Sequence, residues 1–471
     1  MQAKLVPDAE LAQQRVYIDR IQDINRSHFE ASGRQRTAFV HTYGCQQNVS
    51  DSEKISGMLE EMGYAQAESA ETADLVIFNT CAVREHAELR VFGNVGALKP
   101  VKAARPSMVI GLCGCMMQQQ HIADKIKSSY SYVDMVFGTG ALHKLPELLY
   151  NVLTGKSRVF DLSEGDRIAE GLPVRHEGGI KAWLPVSYGC NNFCSYCVVP
   201  YVRGRERSRE PQAVLEEARS LVAEGFKDIT LLGQNVNSYG NDLKNGYNFS
   251  RLLREVNGIE GEFRLRFMTS HPKDATEELF TAIAECEKVT KHLHLPFQAG
   301  SDRILKLMNR RYTQNDYIQL VEKAKAIIPG ISLTSDVIVG FPGETYEEFQ
   351  QTLDVIKRVR FDSLFTFIYS RRRGTPAEKM PDEVPHAEKV KWFTELLEVQ
   401  DAISTGRFQS FVGENFRVLC EGRGKTGDSY MTGRTDAGTI VDFPADESVA
   451  GQFLNVRINR ALRLMLIGEI V

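Results

Sequence analysis

Cys190, Cys194 and Cys197 place three thiols within eight residues, in GCNNFCSYCVVPY just after a predicted strand. A loop of this kind can wrap all three around one metal centre. The spacing is Cys-x3-Cys-x2-Cys, with no fourth cysteine or histidine nearby. Structural zinc sites normally close with four protein ligands, whereas a four-iron cluster held by three cysteines keeps one iron open. S-adenosylmethionine needs such an open iron, because its amino and carboxylate groups chelate there. The expected occupant is therefore a 4Fe-4S cluster that binds S-adenosylmethionine.

A second set is scattered: Cys45 in HTYGCQQN, Cys81 in NTCAVRE and Cys115 in GLCGCMMQ. Separations of 36 and 34 residues carry no signature by themselves. Each cysteine, however, sits just past the carboxyl end of a predicted strand, and open α/β sheets bind ligands in the crevice outside those ends. Three thiols converge there, again without an obvious fourth ligand. Cys113 competes with Cys115, but it falls within the end of its strand, where burial is the expected fate. Cys286 and Cys420 read as ordinary buried thiols.

Changes of periodicity mark the elements that must hold these groups. Residues 8–31 carry Leu11, Ile18, Ile21 and Phe29 at near-helical spacing, which predicts a leading helix in an extension over 1–35. From 36 to 152, RTAFVHTY, DLVIFNT, MVIGL and YVDMVF alternate with helical segments, the pattern of an open parallel sheet covered by helices. A polar, Gly-bearing stretch within 153–180 reads as a linker. Over 181–405 six strand candidates follow: LPVSY, DITLL, RLRFM, HLHLP, LTSDVIV and SLFTFIY. Two units short of a full barrel, they predict a partial (β/α)6 barrel. Over 406–471 short alternating runs predict a small all-β, barrel-like module. The expected fold class is α/β with that module appended.

At 471 residues, two or three domains are expected. No apolar run approaches the roughly 20 residues that span a bilayer, and the N-terminus lacks the apolar core of a signal peptide. A cytoplasmic protein away from membranes is expected, so the nine cysteines read as metal ligands or buried residues before disulfides. The net charge of −4 gives no global sign of a nucleic-acid binder, so any RNA site must be a local patch. Candidates are Arg203, Arg205, Arg207 and Arg209, then Arg371, Arg372 and Arg373, then Arg457, Arg460 and Arg463 in VRINRALRLML. A solvated face accounts equally well for the first two, and a half-buried strand for the third.

Taken in order, HTYGCQQN, NTCAVREHAELRVFG, GLCGCMMQ, SYGCNNFCSYCVVPYVRGRERSR, TLLGQNVNSYG, TSHP, HLPFQAGS, DVIVGFPGET and the β module closely resemble the radical S-adenosylmethionine methylthiotransferases of the MiaB type. The resemblance covers about residues 36–471. It implies that Cys190, Cys194 and Cys197 ligate the radical cluster, with Tyr196 before the last cysteine fitting that signature. It implies that Cys45, Cys81 and Cys115 ligate a second 4Fe-4S cluster carrying the transferred sulfur, and that the last module is a TRAM domain gripping RNA. The implied substrate is tRNA with N6-isopentenyladenosine next to the anticodon, methylthiolated at C2 with two S-adenosylmethionine molecules. An electron donor such as flavodoxin or ferredoxin and a monomeric state are expected with it.

Supporting residues follow from strand ends. Gln234 in TLLGQNV could meet the amino group of S-adenosylmethionine, and Gln298 and Ser301 in HLPFQAGS lie where a ribose would sit. Loop capping or turn formation is the competing role of each. Gly340, Gly343 and Glu344 serve equally to shape a turn before the next helix. At the first cysteine, YGCQQN separates the chain from the sister branches, which read near LGCPKN and LGCKVN. Those branches supply the alternative substrates, a ribosomal aspartate and threonylcarbamoyl-adenosine. A non-catalytic iron–sulfur RNA-binding protein is the alternative of a different class.

Overall fold

The computed structural model describes residues 4–82, 85–155, 158–163, 165–176, 178–427, 429–463 and 465–471. Val83 and Arg84 of NTCAVRE, Leu464 and the side chains of 85–87 lie outside the described residues.

The N-terminal part is an all-parallel sheet of six strands. Their spatial order is Ala65–Gln66, Thr37–Thr42, Leu75–Thr80, Val109–Gly114, Met135–Phe137 and Val159–Asp161. Leu75–Thr80 and Val109–Gly114 are buried at every position, as parallel strands with both faces covered must be. One face packs on the Gln46–Glu61 and Leu145–Leu153 helices through Ile55, Met58, Leu145 and Leu149. The other packs on Glu85–Ala104 and Gln120–Ser129 through Val91, Val95, Ile122 and Ile126. Two strands escape the sequence pattern, Ala65–Gln66 and Val159–Asp161, because two or three residues are too few to show a period. The second falls in the expected linker. Nearby, Arg167–Ile168 pairs with Lys4–Leu5, so this stretch carries structure of its own.

The leading helix runs Asp8–Ser32 and buries Gln14, Ile18, Ile21 and Asn25, spaced four, three and four residues apart. It packs on the Leu145–Leu153 helix, and Asn25 Nδ2 donates to Met62 O at 2.7 Å. Phe29 stays exposed, unlike its sequence expectation.

The middle part has six strands in chain order: Lys181–Pro185, Asp228–Leu232, Arg264–Phe267, His292–His294, Ser332–Val339 and Ser363–Ile368. The first three and the last three each form a parallel sheet, joined by a parallel bridge between Leu265 and Val289. The first ends earlier than LPVSY suggests, because Ser187–Tyr188 turns away to pair antiparallel with Arg207–Ser208. The result is the partial barrel, with one continuous core between strands and helices.

After the Pro385-led helix His386–Gln409, five strands close a small barrel: Asn415–Arg423, Tyr430–Thr435, Ile440–Pro444, Leu466–Ile470 and Phe453–Ala461. It docks at the amino ends of the core strands. Buried Arg264 reaches Asp436 at 2.9 Å and Arg434 O at 3.1 Å, and Lys181 pairs with Glu421 at 2.7 Å. No helix among the described residues is long and apolar enough to cross a membrane.

The leading helix should be integral to the first core. Ile21→Ala, at a side chain with no exposed surface, should cost about 2–5 kcal/mol. Denaturant unfolding followed at the N-terminal sheet checks this, and a loss under about 0.5 kcal/mol would show a detachable helix.

Candidate metal centres at the sheet–barrel junction

The scattered cysteines meet because three strand ends of one sheet lie side by side. Cys45 is the N-cap of Gln46–Glu61, Cys81 follows Leu75–Thr80, and Cys115 follows Val109–Gly114. Gly44 has φ +122°, and a Cβ there would lie 2.6 Å from Cys81 Cβ, so only glycine lets the Cys45 turn close on Cys81. Gly114 has φ +92° and the same role before Cys115, where a Cβ would meet Thr80 O at 2.6 Å.

Asn48 ties the three ends together. Its Oδ1 lies 3.7 Å from Cys45 Sγ and 3.8 Å from Cys115 Sγ, while its Nδ2 donates to Thr80 O and Tyr43 O, both at 3.0 Å. From the other side comes Arg203, 5% exposed. Its Nε donates to Cys115 Sγ at 3.1 Å, and Nη2 donates to Asn48 Oδ1 at 2.8 Å and Asp51 Oδ2 at 2.7 Å. Burial opposes its charge, but Asp51 and Cys115 more than offset that and hold the guanidinium well above its ordinary pKa. Burial pushes the Cys115 thiol up to about 12, with Arg203 opposing and Cys45 and Cys81 adding to the rise. Cys113 is buried in the sheet's core.

The compact triad lies on a loop fixed mostly by backbone contacts. Gly189, φ +78°, lets the chain pass close to Gly204 O and Arg205 O. Cys190 N then donates to Gly204 O at 3.2 Å, and Cys197 N to Cys194 O at 2.9 Å. Asn309 Nδ2 holds Phe193 O at 2.9 Å and Asn192 O at 3.2 Å; Ser195 is held through Met308 O and Leu307 O. Arg310, also buried, points Nη1 at Cys194 Sγ from 3.6 Å. Burial pushes Cys190 to about 11 and Cys197 to about 12, with the Cys194 charge adding to each.

Buried polar groups rarely lack partners. Here Ser187 Oγ, Asn235 Oδ1, Ser270 Oγ, Gln298 Oε1 and Tyr369 OH are buried without one among the described residues. Each lies just past the carboxyl end of a different core strand, beside the cysteine loop's end of the barrel. That end is where barrels of this type bind ligands. Thr269, next to Ser270, holds φ +72°, a strained value for a β-branched residue.

Three family models match in chain order: an uncharacterized protein family, UPF0004, over residues 37–138, the radical SAM superfamily over 184–356, and the TRAM domain over 409–471. The tRNA-2-methylthio-N(6)-dimethylallyladenosine synthase of Acetivibrio thermocellus is 53% identical, over 99% of this chain and 97% of its own. That of Caldicellulosiruptor saccharolyticus is 49% identical over 97% of each chain. This chain belongs to the tRNA-2-methylthio-N(6)-dimethylallyladenosine synthase family. It is a radical SAM methylthiotransferase by membership. Among solved structures, the radical S-adenosylmethionine methyltransferase TsrM from Kitasatospora setae, with cobalamin and a 4Fe-4S cluster bound, superposes with a TM-score of 0.55. It shares 16% identity and covers 73% of this chain and 77% of its own, a likeness of fold alone.

Within this methylthiotransferase the other candidate residues fall unevenly. Gln234 Oε1 caps Gly189 N, while its Nε2 faces Gln47 Oε1 on the Gln46–Glu61 helix at 3.4 Å. Gln298, φ +70°, has its side-chain oxygen unspent. Ser301 instead caps the Asp302–Leu307 helix and donates to Glu348, so its hydroxyl is occupied. Tyr196 packs edge-on against Phe341, and Glu344 accepts from Gly340 N and Phe341 N, shaping the turn.

The arginine patch at 203–209 is corrected. Arg203 and Arg209 are buried, Arg209 against Glu170 and Glu217. Arg207 is half-buried and donates to Arg203 O and Arg205 O. Only Arg205 is exposed, stacked 4.3 Å over Phe193. Arg457 and Arg460 are exposed on the small barrel, and Arg371 and Arg373 on their loop. Asn48, Asp51, Arg310, Asn309 and Ser270 escaped sequence reasoning; the strand-end position of Ser270 in TSHP was the one available signal.

With the metal-free chain, the raised pKa values set an order of alkylation. At pH 8 the Cys115 and Cys197 thiols are almost wholly protonated, and the thiolate is the nucleophile. Iodoacetamide with peptide mapping should label exposed Cys45 first, while labelling of Cys115 and Cys197 should speed up as pH rises. Rapid, pH-independent labelling of Cys115 would contradict the geometry.

Proposed function

We propose that this chain methylthiolates C2 of N6-isopentenyladenosine, the dimethylallyladenosine of its relatives' name, next to the anticodon in tRNA. Cys190, Cys194 and Cys197 hold one 4Fe-4S cluster, and Cys45, Cys81 and Cys115 hold a second. The observation that carries this reading is the meeting of two three-cysteine sets across one junction in a chain of this family.

The donor sets fit such groups. Soft thiolates select iron–sulfur clusters or zinc. On a four-iron cluster each thiolate of a triad would bind a different iron, and the fourth iron would stay open to another ligand. Thiols held near 11–12 are protonated at neutral pH in the metal-free chain and would lose the proton there on binding a cationic group. The unpartnered Ser187, Asn235, Ser270, Gln298 and Tyr369 groups offer a polar ligand its hydrogen bonds.

C2 of adenine carries an unactivated C–H bond, which no side chain is basic enough to deprotonate. When bound, the clusters and S-adenosylmethionine supply the one-electron chemistry, the sulfur and the methyl group that this bond requires. The chain's own residues position and shield. Asn309 and Ser195 fix the cysteine loop, and Gln234 fixes Gly189 before Cys190. Val198, Val202 and Ala82 pack around Cys115 and keep water from its sulfur. On the small barrel, buried Val456 and Ile458 alternate with exposed Asn455, Arg457 and Asn459, and a bulge leaves Arg460 exposed as well. Such a face supports phosphate contacts by Arg460, with Arg205 beside the cysteine loop as a second contact. Reduction by a one-electron carrier such as flavodoxin or ferredoxin completes the scheme.

Mass spectrometry of tRNA nucleosides from a strain lacking the gene should show the methylthiolated isopentenyladenosine gone and its unthiolated precursor accumulated. Loss of a threonylcarbamoyl derivative, or unchanged tRNA, would refute the substrate. In reconstituted protein, Cys190→Ala should abolish 5′-deoxyadenosine formation. Cys81→Ala should retain it while losing the methylthio product, and Cys113→Ala should retain both. A product-competent Cys115→Ala beside an inactive Cys113→Ala would reverse the ligand assignment.

A further inference from the structure

Arg203 is where the barrel touches the sulfur atoms of the N-terminal sheet. It follows the short helix Val199–Val202, six residues after Cys197, and Gly204 O next to it accepts from Cys190 N. The backbone therefore belongs to the cysteine loop of the barrel, while the guanidinium ends among the other three cysteines. It donates directly to Cys115 Sγ at 3.1 Å. Through Asn48 Oδ1, at 2.8 Å, it also fixes the oxygen that faces Cys45 and Cys115. Asn48 in turn holds Thr80 O, one residue before Cys81. One side chain thus bears on all three ligand positions.

Asp51 is its carboxylate partner at 2.7 Å, and that contact uses Nη2 alone. An ion pair that served only to join the domains would not need the separate Nε contact with sulfur. At the compact triad Arg310 shows a looser form of the device: its Nη1 stands 3.6 Å from Cys194 Sγ, with Pro296 O and Tyr312 OH as its other partners. Reduction potentials of iron–sulfur clusters respond to net charge, to hydrogen bonds on the sulfurs and to solvent exposure. Groups behind a metal's ligands set both their orientation and the metal's electronics.

We propose that Arg203 is a positioning residue for methylthio transfer, which holds Cys115 and Asn48 in place and, by setting a cationic N–H donor on the ligand sulfur, raises the reduction potential of the cluster bound there. This rests on the assignment of Cys45, Cys81 and Cys115 to a second cluster. The cationic donor stabilises the more negative, reduced form of the site. Its loss must therefore move the potential downward.

The test uses full-length protein carrying Cys190→Ala, Cys194→Ala and Cys197→Ala, so that one cluster remains to be read by iron analysis, EPR and redox titration. With Arg203 intact, about four irons per chain are expected. Arg203→Lys keeps a charge for Asp51 but cannot reproduce the fork to Cys115 and Asn48. It should keep the fold by circular dichroism, change the EPR spectrum and lower the potential by a tenfold or greater loss of electron affinity, about 59 mV for one electron. Loss of iron from a folded Arg203→Lys protein would equally support positioning. Asp51→Asn weakens the ion pair without touching the Nε–sulfur contact and should show no downward shift. An unchanged potential and spectrum in Arg203→Lys would reduce Arg203 to a bridge between domains. An equal downward shift in Asp51→Asn would assign the effect to loosening and overturn the inference. If the background protein binds no iron with Arg203 present, the ligand assignment itself fails, and the inference falls with it.

Discussion

A guanidinium buried between two domains is costly to desolvate, and Arg203 is tolerable there only because Asp51, Asn48 and Cys115 meet it from the other side. Removing one partner of such a pair costs about 3–5 kcal/mol, because the other is left as an uncompensated buried charge. The sheet and the barrel therefore fit together in one arrangement. Thr139 Oγ1 adds a hydrogen bond to Val202 O at 2.7 Å, and Lys54 reaches Tyr188 OH at 2.9 Å across the same seam. The contact joins the two places where this molecule gathers thiols, so the geometry between them is set by a buried ion pair and not by a flexible connection.

The remainder of the architecture divides the work along the barrel axis. Polar groups without protein partners crowd the carboxyl ends of the core strands, next to the cysteine loop. The amino ends are closed by charged contacts from Lys181, Arg264 and Arg266 to the small barrel. The cysteine loop and the TRAM domain thus lie at opposite ends of the core. Under the proposed function, a tRNA held by the small barrel must reach past the core for one of its bases to approach the thiols, which suits a protruding loop better than a regular duplex.

That Cys45, Cys81 and Cys115 stand together was legible because each lies within three residues of the end of an apolar strand run. The compact triad needed only its spacing. Less legible was the first half of the Gln46–Glu61 helix. Gln47, Asn48, Ser50, Asp51, Ser52, Glu53 and Lys54 are all buried there, against the barrel and the thiol site, so no apolar stripe marks the turn. Arg203 was misread for a related reason. In RGRERSR the charges alternate, and a charge run does not show which members face a buried carboxylate. Arg203 and Arg209 face Asp51 and Glu170, while Arg205 faces solvent. Patterns between neighbours along the chain were readable; pairings set by the docking of two domains were not.

The central claim is that two separate three-cysteine sites, one on each side of this junction, hold iron–sulfur clusters. Iron and acid-labile sulfide analysis of anaerobically prepared protein tests it most directly, in the wild type and in variants lacking either triad. The account predicts about eight irons per chain, falling to about four when either triad is replaced and the fold is intact. Stoichiometric zinc with little iron would contradict it, as would the loss of all iron on removing a single triad.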